Sequence, residues 1–383
     1  MQDNNIKPKI YRDDQVRAAI QELFSYQDFL AGMKAFVPVQ LNKLILEEKD
    51  RVETAHDFQA KVIRPFLKTV KQSSISNFTF SGLEHLDPKK SYLFISNHRD
   101  IVLDSAYLNM VLLEHGMQTS QIAIGDNLVA NRLTELLFKI NKSFVVKRSG
   151  NPREIYKHAV LLSSYIHETI IQQKDSIWIA QREGRAKDGN DRTQISLLKM
   201  LTLCKNKNTD SIEHFKALNI VPVSISYEYD PCGFLKTKEH LEKIDNPDYK
   251  KSFHQDAQHL LLGIKGHKGH VHFHFEKPLD KRLHQLDEKL DSKEKLQTLA
   301  AIIDKAIHLN YKLHPINYYA YDMLMQSDRY QHEYPAPIQS SLQEYFDMLL
   351  EMLPKEAQKE GSDFLFKMYA NPLINALSYK QGF

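Results

Sequence analysis

The segment from Ser96 to Ser105 carries the residues best suited to move a proton. His98 follows the apolar stretch SYLFIS, and two acids, Asp100 and Asp104, stand at the start of the helical pattern that comes next. A histidine in a loop is accessible to a substrate, and a neighbouring carboxylate can hold its ring in one tautomer and stabilise its protonated form. These residue types at this spacing indicate a general base steadied by an acid.

The sequence leaves two alternatives open within this segment. Asp100 has the position of a helix N-cap and Asp104 lies one turn later on the same face, so either carboxylate is a candidate partner for His98. The simpler interpretation of the same residues is a capped helix that carries a surface histidine and performs no chemistry.

Basic residues follow two later strand patterns. Lys147 and Arg148 end one of them, and Arg185 and Lys187 follow another. Because loops at the carboxyl ends of strands in an open α/β sheet gather around a ligand, we expect these four cations to line one site. The guanidinium fork of arginine matches phosphate oxygens, so the expected ligand carries phosphate. Taken singly, each cation would be read as a solvated surface charge.

Three further residues near these cations have structural interpretations. Glu183 either forms a salt bridge to a neighbouring arginine or contacts a substrate hydroxyl, and the salt bridge is favoured because a carboxylate would repel a phosphate. Gly184 is expected to allow a tight backbone turn beside the ligand. Pro222 lies within a strand pattern, which predicts an edge strand or a bulge where the sheet opens toward the site.

The elements that must position these residues alternate between short apolar strands and helices. The predicted strands are 91–96, 122–125, 143–147, 176–180, 220–227 and 270–275, with helices at 101–113 and 153–172 among them. This alternation predicts an α/β fold with a mixed, largely parallel sheet flanked by helices. Residues 13–80 and the chain after 281 have helical patterns. We therefore expect three parts: an N-terminal helical region (1–80), the sheet domain (81–280) and a C-terminal helical region (281–383).

Composition excludes several classes of protein. The chain has 383 residues, 42% of them hydrophobic, which is enough for about two to three domains. Two cysteines cannot form a disulfide framework or a four-thiolate zinc site, and this favours a reducing, cytoplasmic setting. The N-terminus lacks the apolar stretch of a signal peptide, and no apolar run is long enough for a spanning helix. The glycine spacings match neither a dinucleotide fingerprint nor a phosphate loop.

Other binding functions have weaker support in the sequence. His270, His272 and His274 share one face of a strand, which would suit a metal, but a half-exposed strand explains them as simply, and no metal is expected. The formal charge of +3 and the lack of a recognisable module argue against nucleic acid. Amphipathic helices within 13–75 fit either a lipid surface or packing against the sheet domain.

Four blocks in the sheet domain, in their order, resemble the motifs of the glycerolipid acyltransferase family. The blocks are Asn97-His98 with Asp104, then 124–128 with 143–148, then 177–187 around Glu183-Gly184, and then 220–225 with its central proline. The family's first motif has four residues between His and Asp, whereas five separate His98 from Asp104, which keeps Asp100 as a competitor. The resemblance covers about residues 85–280.

The resemblance implies transfer of a fatty acyl group from acyl-CoA or acyl carrier protein to a hydroxyl of glycerol 3-phosphate or lysophosphatidate. His98 would be the base, oriented by Asp104 or Asp100, and a thioester is activated enough that neither a cofactor nor a metal is required. The implied substrate contacts are Asn97, Arg99, Lys147, Arg148, Glu183, Gly184, Arg185, Lys187 and Pro222. Transfer to an amine and a non-catalytic lipid-surface protein of the same fold stay as alternatives. The expected location is cytoplasmic, peripheral on the inner face of the membrane.

Overall fold

The computed structural model describes residues 8–206, 209–249, 251–283 and 290–380, so the chain ends named above, 1–7 and 381–383, lie outside it. The strands are β1 (Ile75–Ser81), β2 (Leu93–Ser96), β3 (Gln121–Gly125), β4 (Ser143–Val146), β5 (Ile177–Ala180), β6 (Ile220–Tyr227) and β7 (Gly269–Phe275). The helices are α1 (Asp13–Ser25), α2 (Gln27–Phe36), α3 (Val39–Glu48), α4 (Ala55–Phe58), α5 (Arg64–Ser74), α6 (Leu103–Glu114), α7 (Arg132–Ile140), α8 (Pro152–Ile171), α9 (Ile195–Leu201), α10 (Ser211–Ala217), α11 (Gly233–Asp245), α12 (Phe253–Lys265), α13 (Ser292–Leu309), α14 (Pro315–Met325), α15 (Ala336–Glu351) and α16 (Gln358–Lys380).

The described strands form one mixed sheet in the order β1-β7-β6-β2-β5-β3-β4. Neighbouring strands are parallel, except that β6 and β7 are antiparallel. Strands β2 to β6 therefore run in one direction, and their carboxyl ends meet at a single edge of the sheet, which is where open α/β sheets bind ligands. The expected α/β fold with a largely parallel sheet is confirmed.

Strand β2 shows why the predicted strands are short, continuous apolar runs. Phe94 packs into the hydrophobic cluster on one face, whereas Leu93 and Ile95 pack into the cluster on the other. Helix α6 contributes to the first cluster and α8 to the second, so helices cover both faces. A strand buried on both faces needs an apolar side chain at every position.

The N-terminal helices α1 to α5 have their own hydrophobic cluster, which includes the expected apolar face of α1. Val16, Ile20 and Leu23 are buried there, together with Leu136 and Ile140 of α7. Because α7 lies between two strands of the sheet in sequence, this cluster docks the N-terminal helices on the sheet domain. At the other end, α13 packs on the sheet and α14 to α16 form a further cluster.

The prediction that residues 13–80 are helical is wrong at its end. Helix α5 ends at Ser74, and the next residue begins β1, which pairs in parallel with β7. No glycine or proline separates α5 from β1, so the usual signal of a boundary is missing. The strand is rich in Ser, Asn and Thr and partly exposed, which is typical of a sheet edge and unlike the buried strands.

The prediction that Pro222 marks an edge strand or a bulge is also wrong. Strand β6 is interior, paired with β2 on one side and β7 on the other, and Pro222 is opposite Ile95. The carbonyl of Pro222 accepts from the backbone N–H of Glu276, one residue beyond the end of β7. In a strand, the backbone nitrogen and the carbonyl of one residue face the same neighbouring strand. The nitrogen of Pro222 therefore faces β7 just beyond its last paired residue, Phe275, and Pro222 interrupts no bond between β6 and β2.

Candidate active site

His98 and Asp104 form a buried pair at the carboxyl edge of the sheet. His98 lies in the loop after β2, and its Nδ1 is 2.8 Å from Oδ2 of Asp104. The side chain of His98 is 14% exposed, and that of Asp104 is fully buried. An ionised carboxylate can only accept, so Nδ1 carries the hydrogen and Nε2 keeps its lone pair. The pair therefore presents a basic nitrogen.

The loop itself holds Asp104 in place. Oδ2 of Asp104 also accepts from the backbone N–H groups of Arg99, at 2.6 Å, and Asp100, at 3.0 Å. Three donors on one oxygen fix the carboxylate before any substrate arrives. Its rotamer, and with it the ring of His98, is set by the backbone.

Asp100 has a different role in this structure. Its Oδ1 accepts from the backbone N–H groups of Val102 and Leu103, at 2.9 and 2.8 Å. The N-cap of α6 is Val102, so the expected N-cap position of Asp100 is wrong, although its side chain still bonds the start of the helix. Burial, followed by the charge of Asp104, raises the pKa of Asp100. Of the two candidate partners, the structure brings Asp104 to His98 and turns Asp100 to the helix.

The start of α6 explains how five intervening residues still bring the two side chains together. The sequence places Asp104 at the fourth helical position if Asp100 is the N-cap, but α6 begins at Leu103, so Asp104 is its second residue. Four of the five intervening residues, 99 to 102, lie in the loop before the helix. No rotation of Asp104 away from His98 results.

A cavity of about 800 Å³ opens in front of His98. Trp178 of β5 forms part of its wall, and the His98 ring lies edge-on to the indole, with ring centroids 5.6 Å apart. The indole Nε1 donates to Ser96 at 3.0 Å, which fixes the ring. Four of the sequence-predicted contacts share this cavity with His98 and Arg148, namely Glu183, Gly184, Arg185 and Lys187.

Arg148 lies at the rim of the cavity, in the loop after β4. A Cβ on Gly125 would approach the guanidinium of Arg148 to 3.0 Å, so the glycine leaves room for it. Nη1 of Arg148 is 3.8 Å from Oε1 of Glu183, whose side chain is 65% exposed. At that exposure the pair is a weak surface interaction that a phosphate can replace.

Arg185 is a cavity cation with a buried N–H that has no acceptor among the described residues. Its Nη2 faces Nδ1 of His259 at 3.2 Å, and its Nη1 is buried with no hydrogen-bond partner among the described residues. Burial, followed by the charge of Arg185, lowers the pKa of His259 to about 3, so this imidazole is neutral and accepts. A buried guanidinium N–H without an acceptor is an incomplete anion site, because such groups are normally hydrogen-bonded.

Sequence reasoning missed Arg182, although it follows β5 by two residues. It lines the same cavity, and its Nε has no hydrogen-bond partner among the described residues. Its position after a strand was the available signal. The cavity lining also includes Lys236 and Lys243 of α11 and Lys367 of α16, and no motif in the sequence indicates that they belong to the site.

The remaining predicted contacts lie away from the cavity. Both ends of the Asn97 amide bond the backbone of Ile225, which ties β2 to β6. Arg99 forms a buried ion pair with Asp191. Pro222 is buried in the sheet, and Lys147 lines a second cavity.

The histidines of β7 share one face, as their alternation predicts, and they bond β1. Thr79 contacts His270 and His272, and Ser81 contacts His272 and His274, at 2.7 to 3.1 Å. In the described part of the chain, no group of three His, Cys, Asp or Glu residues has the arrangement of a metal site. Nor does any helix there have the length and apolar character of a membrane span.

Comparison with known proteins finds a family profile that matches the part of the chain that contains His98. The acyltransferase family profile matches residues 77–226, from β1 to the penultimate residue of β6, which includes the His98 loop and the arginine loops. The crystal structure of the 1-acyl-sn-glycerophosphate (LPA) acyltransferase PlsC from Thermotoga maritima is similar at a TM-score of 0.35 and 12% sequence identity, over 76% of this chain and 94% of that chain. No curated protein matches the chain.

Proposed function

We propose that the protein uses residues 77–226, the segment that the acyltransferase family profile matches, to move a fatty acyl group from a thioester to a hydroxyl of glycerol 3-phosphate or lysophosphatidate. The observation that carries the proposal is one cavity that joins His98 to Arg148, Arg182 and Arg185. A base for a hydroxyl and a grip for a phosphate are the two requirements of such an acceptor.

In the proposed reaction, Nε2 of His98 takes the hydroxyl proton as the acceptor oxygen attacks the thioester carbonyl. The C–O bond forms, the C–S bond breaks, and the thiolate leaves with the proton that His98 carries. Asp104 stabilises the intervening imidazolium through Nδ1. General-base catalysis of this kind contributes about 10² to 10⁴ in rate.

The arginines would hold the acceptor by its phosphate. Arg185 offers a buried N–H without a partner, and Arg148 has only a 3.8 Å contact to an exposed carboxylate. Charge-assisted bonds from guanidinium to phosphate fix orientation as well as position. Orientation matters because the hydroxyl must approach both His98 and the thioester carbonyl.

A second cavity, of about 530 Å³, supports a long acyl chain as the transferred group. Its wall includes Val145, Ile155, Leu162 and Met200, and it shares Ala180 and Arg182 with the first cavity. An apolar pocket that adjoins the catalytic one suits a hydrocarbon tail, since burying each methylene contributes about 0.8 kcal/mol.

The proposal includes attachment to the inner, cytoplasmic face of a membrane, where lysophosphatidate, as a lipid, would reside. Val39 and Leu44 of α3 are 80% and 49% exposed, which supports contact of the N-terminal helices with lipid. The thioester carrier is acyl-CoA or acyl carrier protein.

The test is thiol release from palmitoyl-CoA, with the lipid product identified by mass spectrometry. Glycerol 3-phosphate, lysophosphatidate and an amino-acid acceptor are supplied in separate reactions. We expect release with a phosphorylated acceptor, its loss in His98→Ala, and normal release in His56→Ala, an exposed histidine on α4. Full activity in a folded His98→Ala protein would exclude the mechanism, and activity with the amine alone would redirect it to N-acylation.

A further inference from the structure

The lining of the cavity includes a second group of cations, the lysines around Glu239. Lys187, Lys243 and Lys251 converge on the carboxylate of Glu239, whose side chain is only 5% exposed. The Nζ atoms of Lys251 and Lys243 lie 2.8 and 3.3 Å from its oxygens, and Lys187 contacts it directly. We call these three residues the lysine cluster. Apart from Lys187, it lies beyond the segment that matches the family.

The lysine cluster carries more positive charge than its carboxylate cancels. Three ammonium groups meet one carboxylate, and Asp256 is 3.8 Å from Lys251. The cavity lining also contains three acids that, among the described residues, form no ion pair with the lysine cluster, namely Asp188, Glu360 and Asp363. The crowding is visible in Lys187, where burial and the neighbouring Lys243 lower the pKa to about 8. The lysines keep the pKa of Glu239 at about 2, against the effect of burial. Such a surplus attracts an anion with more than one charge.

A stacked pair of rings also lines this cavity, with Phe364 buried and His240 partly exposed. The imidazole of His240 is stacked on the ring of Phe364 from α16, with centroids 4.1 Å apart and an interplanar angle of 14°. Both residues line the cavity that contains the lysine cluster. Flat aromatic surfaces beside cationic groups bind phosphorylated bases, through stacking on the base and ion pairing with the phosphate.

We propose that the lysine cluster and the His240–Phe364 stack bind the nucleotide end of a coenzyme A thioester. The lysines would hold the phosphates of the adenosine 3′,5′-bisphosphate unit, and the stack would contact adenine. This inference rests on the proposed function, because it names the carrier of the acyl donor. The acceptor phosphate has its own cations, Arg148, Arg182 and Arg185, in the same cavity, so each of the two anions has a separate group of cations.

The lysine side chains can change partner without unfolding the site. Those of Lys243 and Lys187 are 45% and 34% exposed, so each can move from Glu239 to a phosphate at the cavity surface. Carrier-bound phosphopantetheine has a phosphate too, but it has no base for the stack. That difference separates the two sources of phosphate.

The first experiment measures binding and does not depend on acyl transfer. Adenosine 3′,5′-bisphosphate is titrated calorimetrically into the wild-type protein, into the double variant Lys243→Ala/Lys251→Ala, and into Lys238→Ala, an exposed lysine on α11 outside the cavity. We expect the Kd to rise by about tenfold or more in the double variant and to stay unchanged in Lys238→Ala. The reason is that each lost bond to a charged group costs about a factor of ten in affinity. No binding by the wild type, or equal binding by all three proteins, overturns the proposal.

The second experiment compares palmitoyl-CoA with palmitoyl-phosphopantetheine and palmitoyl-pantetheine as donors. The wild type should prefer the CoA thioester in kcat/KM, and the double variant should lose about tenfold or more of that preference. An equal loss with palmitoyl-phosphopantetheine would overturn the nucleotide assignment, because the arm phosphate would then be the ligand. If no donor supports transfer, the proposed function fails while the calorimetry still decides the site.

Discussion

Nη2 of Arg99 lies 2.7 Å from Oδ2 of Asp191, and the two side chains are only 7% and 3% exposed. The bond joins the loop after β2, which carries His98, to the loop after β5, which carries Arg182 and Arg185. The guanidinium also lies over the ring of Tyr311, at 5.3 Å. Burial disfavours the charge on Arg99, but Asp191 more than compensates and raises its pKa.

Breaking this ion pair from one side should destabilise the protein strongly. Arg99→Met leaves Asp191 buried without its cation, and we expect a loss of about 3 to 5 kcal/mol in the free energy of unfolding. The double variant Arg99→Met/Asp191→Leu should recover most of it, because neither charge is then left alone. Urea unfolding measures all three. A loss below about 1 kcal/mol in Arg99→Met would show that the two loops are held by other contacts.

Replacing Asp104 and Asp100 by asparagine, one at a time, should distinguish their roles. Asp104→Asn keeps the shape but offers an amide that can turn its N–H₂ toward Nδ1, so the tautomer of His98 is no longer fixed. We expect kcat to fall by about 10² or more. Asp100→Asn keeps an oxygen that can bond the start of α6, so its loss in kcat should be much smaller. Steady-state kinetics decide between them, and a larger loss in Asp100→Asn would reverse the assignment.

Removing the guanidinium at the cavity rim should weaken binding of the acceptor but not of the acyl donor. In Arg148→Ala we expect the KM for the phosphorylated acceptor to rise by about 10-fold to 100-fold, as loss of a charge-assisted bond implies. The KM for the acyl donor should change far less. Arg329→Ala, at an exposed position in the C-terminal region, is the matched control. An unchanged acceptor KM would mean that the phosphate binds elsewhere.

The backbone at Gly184 should tolerate a side chain poorly, although there is space for one. Its φ is +65°, and no atom lies within 4 Å of where a Cβ would stand. Gly184→Ala should therefore cost about 1 to 2 kcal/mol through backbone strain alone. Gly32→Ala also adds a methyl to open space, but within α2, and should stabilise by up to about 1 kcal/mol. Thermal unfolding of both should give opposite signs, and equal signs would contradict the strain argument.

Buried His308 should make the protein less stable in mild acid. Its Nε2 bonds the carbonyl of Asp191 at 2.7 Å, and burial lowers its pKa from 6.5 to about 4. Between these values the unfolded chain binds a proton that the native state does not, so stability falls as pH drops from 6.5 to 4.

Protonation of His308 should lower the free energy of unfolding by about 3 kcal/mol in total over this pH range. His308→Gln, which keeps an N–H donor, should remove that share of the pH dependence, whereas His56→Gln at an exposed site should not. Urea unfolding at several pH values measures the slope. Identical slopes in wild type and His308→Gln would contradict the prediction.

The sheet was largely predictable from sequence because its inner strands are buried on both faces. Strand β6 begins and ends at the expected residues, and the others differ by one or two. The order of the strands was not predictable, since it depends on crossovers between distant segments. Strand β1 was missed because neither glycine nor proline separates it from α5, although Ile75, Phe78 and Phe80 are residue types that favour strands.

The site was predictable as far as local sequence controls it. His98 and the cations after β4 and β5 follow from strand ends, but the choice between Asp100 and Asp104 depends on where α6 begins. Asp100 also contacts a segment distant in sequence, since its Oδ2 packs against Gly263 of α12, where a Cβ would come within 2.2 Å of it. The cavity wall from α11 and α16 depends on still longer-range packing, which leaves no local pattern.

The contribution of α16 to the cavity also affects when the protein can first work during its synthesis. Phe364 and Lys367 reach the cavity from a helix that follows every strand of the sheet in sequence. When the last strand of a nascent chain has emerged from the ribosome, α16 has not, so the cavity still lacks the part of its wall that α16 provides. Catalytic competence should appear late in translation, after the scaffold has folded.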